Sequence, residues 1–155
     1  MRNCGECTAC CDGWVTSKAV GLSPGVACKH CTVSGCAIYE DRPEDPCRTF
    51  KCRWLADPDG LDESLRPDKC GAIAKFTSWK SWTLLTLVPV GAQVPEATLK
   101  EMTSYAYAKA LPLVWFERAK DFTKDHAVSK FAAGPEEFLA QVKWDFPDED
   151  VFDLK

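Results

Sequence analysis

Histidine is nearly missing from this chain. His30 and His126 are the only two in 155 residues, so a zinc finger with two late histidines is excluded. Long apolar runs are missing too. The longest, Leu84-Leu85-Thr86-Leu87-Val88-Pro89-Val90, falls far short of the roughly 20 residues that span a bilayer. There is no excess of positive charge. Residues 1–70 carry nine Lys and Arg against eleven Asp and Glu, and residues 71–155 carry ten against twelve. Counterion-release binding of nucleic acid is therefore not expected, and no basic amphipathic stretch points to a membrane surface. No phosphate-binding loop, Ser/His/Asp arrangement or paired-carboxylate motif is present, which leaves hydrolytic chemistry without support. Residues 71–155 hold no cysteine at all.

The cysteines gather at the other end. Ten occur, nine of them within residues 4–52 and the tenth at Cys70. Hydrophobic content of 46% with 27% charged residues is globular, so wholesale disorder is excluded. Met1-Arg2-Asn3-Cys4-Gly5-Glu6-Cys7 has no apolar core and no small-residue cleavage site, so no secretory signal is read there. The expected location is cytoplasmic, where thiols stay reduced, and this argues against a disulfide framework.

Residue 70 divides the chain into two expected units. Residues 1–70 read as a loop-rich cysteine module, with little periodicity over 1–36 and turns at 41–46 and 57–60. Residues 71–155 read as a small α+β unit. Ala72–Phe76 and Ser81–Pro89 are predicted strands with Thr77–Lys80 as the turn. A helix follows from Pro95 to about Ala110, then strands over Leu113–Arg118 and Ala127–Phe131 and a helix from Pro135 through Val142. The tail, Asp145–Lys155, is acidic and expected to be loosely held. The whole is α+β, a loop-rich metal module packed on a sheet-and-helix unit.

Cys-x-x-Cys spacing occurs three times, at Cys4/Cys7, Cys7/Cys10 and Cys28/Cys31. It lets two thiolates from one tight turn face one metal, in zinc and iron–sulfur sites alike. The continuous run Cys4, Cys7, Cys10 suits a cubane cluster, but the closing Cys-x-x-x-Cys-Pro is absent. Neighbouring side chains diverge, so Cys10 and Cys11 are expected to serve different sites, or one of them to be packed or reactive. Nine cysteines could fill two four-thiolate sites with one left over. The expected ligands are Cys4, Cys7, Cys10, Cys11, Cys28, Cys36, Cys47 and Cys52, with Cys31 next and Cys70 last. The cofactor is zinc or an iron–sulfur cluster, with zinc favoured. His30 is expected to point outward, and Asp12 to form a turn. Arg42, Arg48 and Arg53 are expected to offset thiolate charge, with Tyr39 and Trp54 packed over the site. Trp82 and Trp115 are expected in the core, while Trp79 and Trp144 could mark a partner surface.

These motifs resemble a known family. Cys4-Gly5-Glu6-Cys7-Thr8-Ala9-Cys10-Cys11 is similar to the opening of the CxxCxxCC family, the YkgJ-like proteins described as zinc- or iron-chelating. Gly35-Cys36-Ala37-Ile38-Tyr39-Glu40-Asp41-Arg42-Pro43, then Cys47-Arg48-Thr49-Phe50-Lys51-Cys52-Arg53-Trp54-Leu55, looks like a second block of that family. Ala27–Cys31 and Arg66–Cys70 resemble two more. The resemblance covers residues 4–70 and implies a metal or iron–sulfur domain. A related signature occurs in flagellin lysine-N-methylases, but no glycine-rich loop for S-adenosylmethionine is evident here. The expected function is chelation of zinc or an iron–sulfur cluster. The alternatives are an iron–sulfur redox or protein-modifying enzyme and a metal storage or delivery protein. The partner is an unidentified protein or small molecule, with neither nucleic acid nor membrane expected.

Overall fold

The computed structural model describes residues 1–120 and 127–147. The chain is α+β. A four-stranded sheet is built from β3 (Ala72–Trp79), β4 (Trp82–Pro89), β5 (Leu113–Arg118) and β6 (Ala127–Ala133), in the order β3-β4-β5-β6. The first and last pairs are antiparallel and β4–β5 is parallel. That parallel pair requires a crossover, and α3 (Glu96–Ala108) supplies it. Before the sheet come a two-stranded ribbon of β1 (Cys31–Thr32) and β2 (Gly35–Cys36), and two single-turn helices, α1 (Arg53–Ala56) and α2 (Pro67–Cys70). A final helix, α4, spans Glu136–Asp145.

The β3–β4 hairpin is longer than its apolar pattern. Strand pairing continues through Thr77↔Leu84 and Ser78↔Thr83 to Trp79↔Trp82, leaving Lys80 and Ser81 as the turn. The predicted four-residue turn is thus a two-residue one, and Lys80 takes a left-handed φ of 52°. Thr77 and Ser78 weaken the apolar signal, yet the Thr77 and Thr86 hydroxyls bond each other across the strands at 2.6 Å. The strand predicted over Ala127–Phe131 runs on to Ala133, where it pairs with Leu113. Asp145 closes α4 rather than opening the tail, and residues 148–155 of that predicted tail lie outside the described residues.

Helices cover both sides of the sheet. Met102, Tyr105 and Ala106 of α3 join Leu85, Leu87, Leu113 and Trp115 in the larger core. Phe138 and Val142 of α4 pack on Leu84 and Ala132 in a smaller one. Trp79 meets Phe138 edge-on at 5.8 Å, so it belongs to this second cluster rather than to an open surface, whereas Trp144 is largely exposed. Trp115 is buried as expected, while Trp82 is only half-buried and donates from Nε1 to Gln141 at 3.1 Å.

The larger core does not stop at residue 70. It includes Ala9, Cys52, Trp54, Leu61 and Cys70, with Cys7, Cys10 and Trp14 packed against it. Two polar ties reinforce the join. Asp57, just after α1, accepts from Tyr105 Oη at 2.6 Å and pairs with Lys109 Nζ at 3.2 Å, linking it to α3. Arg118, buried at the end of β5, donates to the Pro89, Gly91 and Trp14 carbonyls. The cysteine-rich loop therefore sits against the sheet through both apolar and hydrogen-bonded contacts.

Candidate metal centre

Local turns aim the thiols. Cys4–Cys7 is a turn closed by Cys7 N–H donating to Cys4 O at 2.9 Å, and Cys28–Cys31 closes the same way at 2.9 Å. In the second turn the His30 N–H also reaches Cys28 Sγ at 3.5 Å. An N–H two residues on from a cysteine favours its thiolate, and Ala9 N–H does this for Cys7. The N–H groups of Leu55 and Trp54 do it for Cys52. A helical turn over Cys10–Trp14 carries Cys10, Cys11 and Asp12, and ends at Gly13 with φ of 92°. Gly13 is obligatory, because a Cβ there would lie 1.9 Å from Ser23 O.

These turns surround one cavity of about 500 Å³. Its lining includes Cys4, Cys7, Cys10, Cys11, Cys28, Cys31, Cys36, Cys47 and Cys52, all nine cysteines expected as ligands. Cys70 is not among them; its buried thiol faces the Leu65 and Ala72 carbonyls. All ten cysteines are free. Val15, Leu22, Ile38, Tyr39, Phe50, Trp54 and Leu55 also line it and give it a largely apolar wall. Among the described residues no Asp or Glu is in the lining, while Lys29, His30 and Arg42 are. His30 thus borders the cavity, where it was expected to point away. His126 lies outside the described residues.

The nine thiols fall into two groups. Cys7, Cys10 and Cys52 pack on or within the large core. Cys11, Cys28, Cys31, Cys36 and Cys47 gather near the β1–β2 ribbon. Cys31 stands opposite Cys36 across that ribbon, and Cys28 N–H donates to Cys11 O at 2.8 Å. The strongest electrostatic neighbours follow the same division, although Cys10 also feels Cys11 across it. Cys10 feels Cys52 and Cys7 most among the thiols, Cys11 feels Cys31, Cys36 and Cys28, and Cys47 feels Cys28 and Cys36. Cys4 feels Cys36 and is itself felt by Cys52, Cys10 and Cys11, so it stands at the seam. The adjacent Cys10 and Cys11 serve opposite sides, one of the two arrangements expected from their spacing.

Burial and mutual repulsion both oppose thiolates here. Burial pushes the Cys10 thiol well up, and Cys11 is pushed up to about 12 by burial and then by the neighbouring thiols. Cys7 is pushed up to about 11, chiefly by burial. Cys31 reaches about 11 through burial and then through Asp12, whose Oδ1 accepts from its Sγ at 3.4 Å. Asp12 also accepts from Thr8 Oγ1 at 2.9 Å. Cys4 is raised by burial, against which the Arg42 guanidinium and the Tyr39 hydroxyl act. Arg42 is held over the Tyr39 ring, 3.8 Å from its centroid, and donates to the Tyr39 and Cys47 carbonyls. Arg48 faces the Glu40 and Arg42 carbonyls instead, and Arg53 lies over Phe76. Only Arg42 of the three expected arginines borders the thiols.

The donor set suits a thiophilic cation: many soft sulfurs, N–H groups aimed at them, an apolar wall and one fixed guanidinium. The spacing is more open than a coordination shell. Among the described residues, no three His, Cys, Asp or Glu side chains are arranged to hold an ion as they stand. Binding would draw the thiols inward across the cavity. Among the described residues, no helix is long and apolar enough to cross a membrane. Compared with family models, curated proteins and solved structures, the chain matches none.

Arg118 carried no signal in the sequence. It lies far along the chain from any cysteine, in a strand of ordinary pattern, and only the fold brings it to the Trp14 carbonyl at 3.2 Å.

Proposed function

We propose that this protein is a cytoplasmic metal-thiolate protein, in which the cysteines of residues 4–52 hold zinc in tetrahedral sites. One observation carries the reading: nine of ten cysteines, separated in sequence, line a single cavity with largely apolar walls. Free cysteines acting only as small hydrophobes would be scattered through the cores, as Cys70 is. Two independent Cys-x-x-Cys turns, each closed by an N–H to carbonyl bond and the second with the His30 N–H directed at Cys28 Sγ, favour zinc. The ligands would be Cys4, Cys7, Cys10 and Cys52 on the core side, and Cys11, Cys28, Cys31, Cys36 and Cys47 on the ribbon side. Bound zinc would supply positive charge that offsets the thiolates, and Arg42 would offset part of the rest. The resemblance to the CxxCxxCC family agrees with this reading.

A second reading has its own support. Cys4, Cys7, Cys10 and Cys52 lie at one side of a cavity larger than two ions need, and they would equally suit a four-iron cluster with bridging sulfide. The test is metal and sulfide content per chain, with an absorption spectrum, on full-length protein purified without air. About two zinc ions and no visible colour are expected for two four-thiolate sites. About four irons with labile sulfide and broad absorption near 400 nm would replace zinc by a cluster. Neither metal at stoichiometric level, even after loading the reduced protein, would overturn both readings.

A further inference from the structure

We infer that the two thiol groups are unequal centres: a core-side one built to be permanent, and a ribbon-side one built to exchange its ion. This rests on the reading of the cavity as a metal-thiolate site and goes on to its regulation. The distinction comes from what each group is attached to. Cys7 and Cys10 pack against the large core and Cys52 is part of it, so pulling those ligands apart disturbs the packing of Ala9 and Trp54. Local opening there carries the cost of opening the core itself.

On the ribbon side Cys11 shares a turn with the core-packed Cys10 and Trp14, but the four other thiols have no such anchor. Cys31 and Cys36 belong to strands of two residues each, joined by a turn with fully exposed Val33 at its tip. None of Cys11, Cys28, Cys31, Cys36 or Cys47 packs against either core. A short isolated ribbon is marginal in water, so these ligands can part without unfolding the sheet. The ribbon side also holds five thiols for four places, and its Cys31 thiol already has an alternative partner, donating to Asp12 Oδ1 at 3.4 Å. A surplus donor lets one ligand leave as another arrives, which is how an ion passes between ligand sets without being released bare. The exchange partner would be a small thiol or carboxylate chelator, or a cysteine pair on another protein, reaching the ribbon from solvent. No redox change is required, since zinc and thiolates keep their oxidation states and each outgoing thiolate either takes a proton or changes partner.

The test loads the full-length protein with zinc alone and follows its transfer to a chromogenic chelator, while hydrogen exchange of the β3–β5 amides reports the sheet. One ion is expected to leave at least about tenfold faster than the other, with the sheet amides still protected during the fast phase. Cys31→Ser and Cys47→Ser, each of which removes the surplus donor, are expected to slow the fast phase only. Cys10→Ser is expected to alter the slow phase, and if that variant does not fold, the two ribbon variants suffice. A single phase for both ions, or a fast phase accompanied by loss of the sheet signal, would overturn the inference while leaving zinc binding intact. Absence of bound zinc would overturn the reading beneath it.

Discussion

Residues 1–70 hold their shape with turns, single hydrogen bonds and a few glycines, whereas residues 71–147 hold theirs with ladders and helices. In the first region the longest regular helix is four residues and the strands have two. In the second, the β3–β4 hairpin pairs eight residues a side and α3 runs for thirteen. Both regions share the large core, to which the first contributes Ala9, Cys52, Trp54, Leu61 and Cys70 and several partly buried neighbours. Regular structure can be stabilised by its own apolar face. A turn-built region of the same length lacks that face and depends on the neighbouring sheet and on what its thiols bind.

Four changes would break or sharpen this contrast. The largest effect is expected from Phe138→Ala, because Phe138 is fully buried between α4 and the sheet. A loss of about 3–5 kcal/mol is expected in urea unfolding, with metal content per folded chain unchanged. Reduced metal content in the folded fraction would show that the two regions are more closely coupled than their contacts indicate. Gly13→Ala should act in the opposite way. Its Cβ would overlap Ser23 O, so the Cys10–Trp14 turn must shift, at about 3 kcal/mol. Zinc stoichiometry should fall while the circular dichroism of the sheet is retained.

Arg118→Met tests the join itself. It removes donors to the Pro89, Gly91 and Trp14 carbonyls, and about 2 kcal/mol of destabilisation is expected. Hydrogen exchange should rise in both the Cys10–Trp14 turn and the ends of β4 and β5, and a rise on one side only would mean that Arg118 does not couple them. The smallest effect is expected from Tyr105→Phe, at about 1 kcal/mol, because Asp57 is near the surface. The Tyr105 hydroxyl, followed by Lys109, holds the Asp57 carboxyl below its ordinary value of 3.8. A lowered folded-state value stabilises the protein above 3.8, and the contribution is lost as the pH falls through the lower folded value. Wild type and variant should therefore differ at neutral pH and converge in strong acid, as thermal unfolding across that range would record.

The second half of the chain was largely legible, because its apolar residues recur with strand or helix period. Leu85 and Leu87 alternate into the large core, and Met102, Tyr105 and Ala106 lie on one side of α3. The strand ends were less so. Thr77 and Ser78 continue the ladder through backbone pairing that no hydrophobic pattern records. In the first half, Cys4, Cys7, Cys10, Cys28 and Cys31 could be named from Cys-x-x-Cys spacing, which dictates a tight turn, whereas Cys11, Cys36, Cys47 and Cys52 were named from their clustering within residues 4–52. Their grouping could not. Cys52 joins Cys10, and Cys36 faces Cys31, through contacts that depend on how the whole loop folds. His30 illustrates the limit: lying between two candidate ligands suggested an outward side chain, yet the tight Cys28–Cys31 turn leaves it bordering the cavity.

The sequence by itself determined the class of the fold, the order of its main elements and the residues that bring sulfur to the cavity. Periodicity and short-range spacing are local properties, and local geometry follows from them. Only the tertiary structure decided that the nine thiols meet around one cavity, that Cys70 stands apart, and that Arg118 reaches the turn bearing Cys10 and Cys11. Those outcomes depend on how distant segments pack, and packing is settled by the shape and burial of the whole core rather than by the identity of neighbours along the chain.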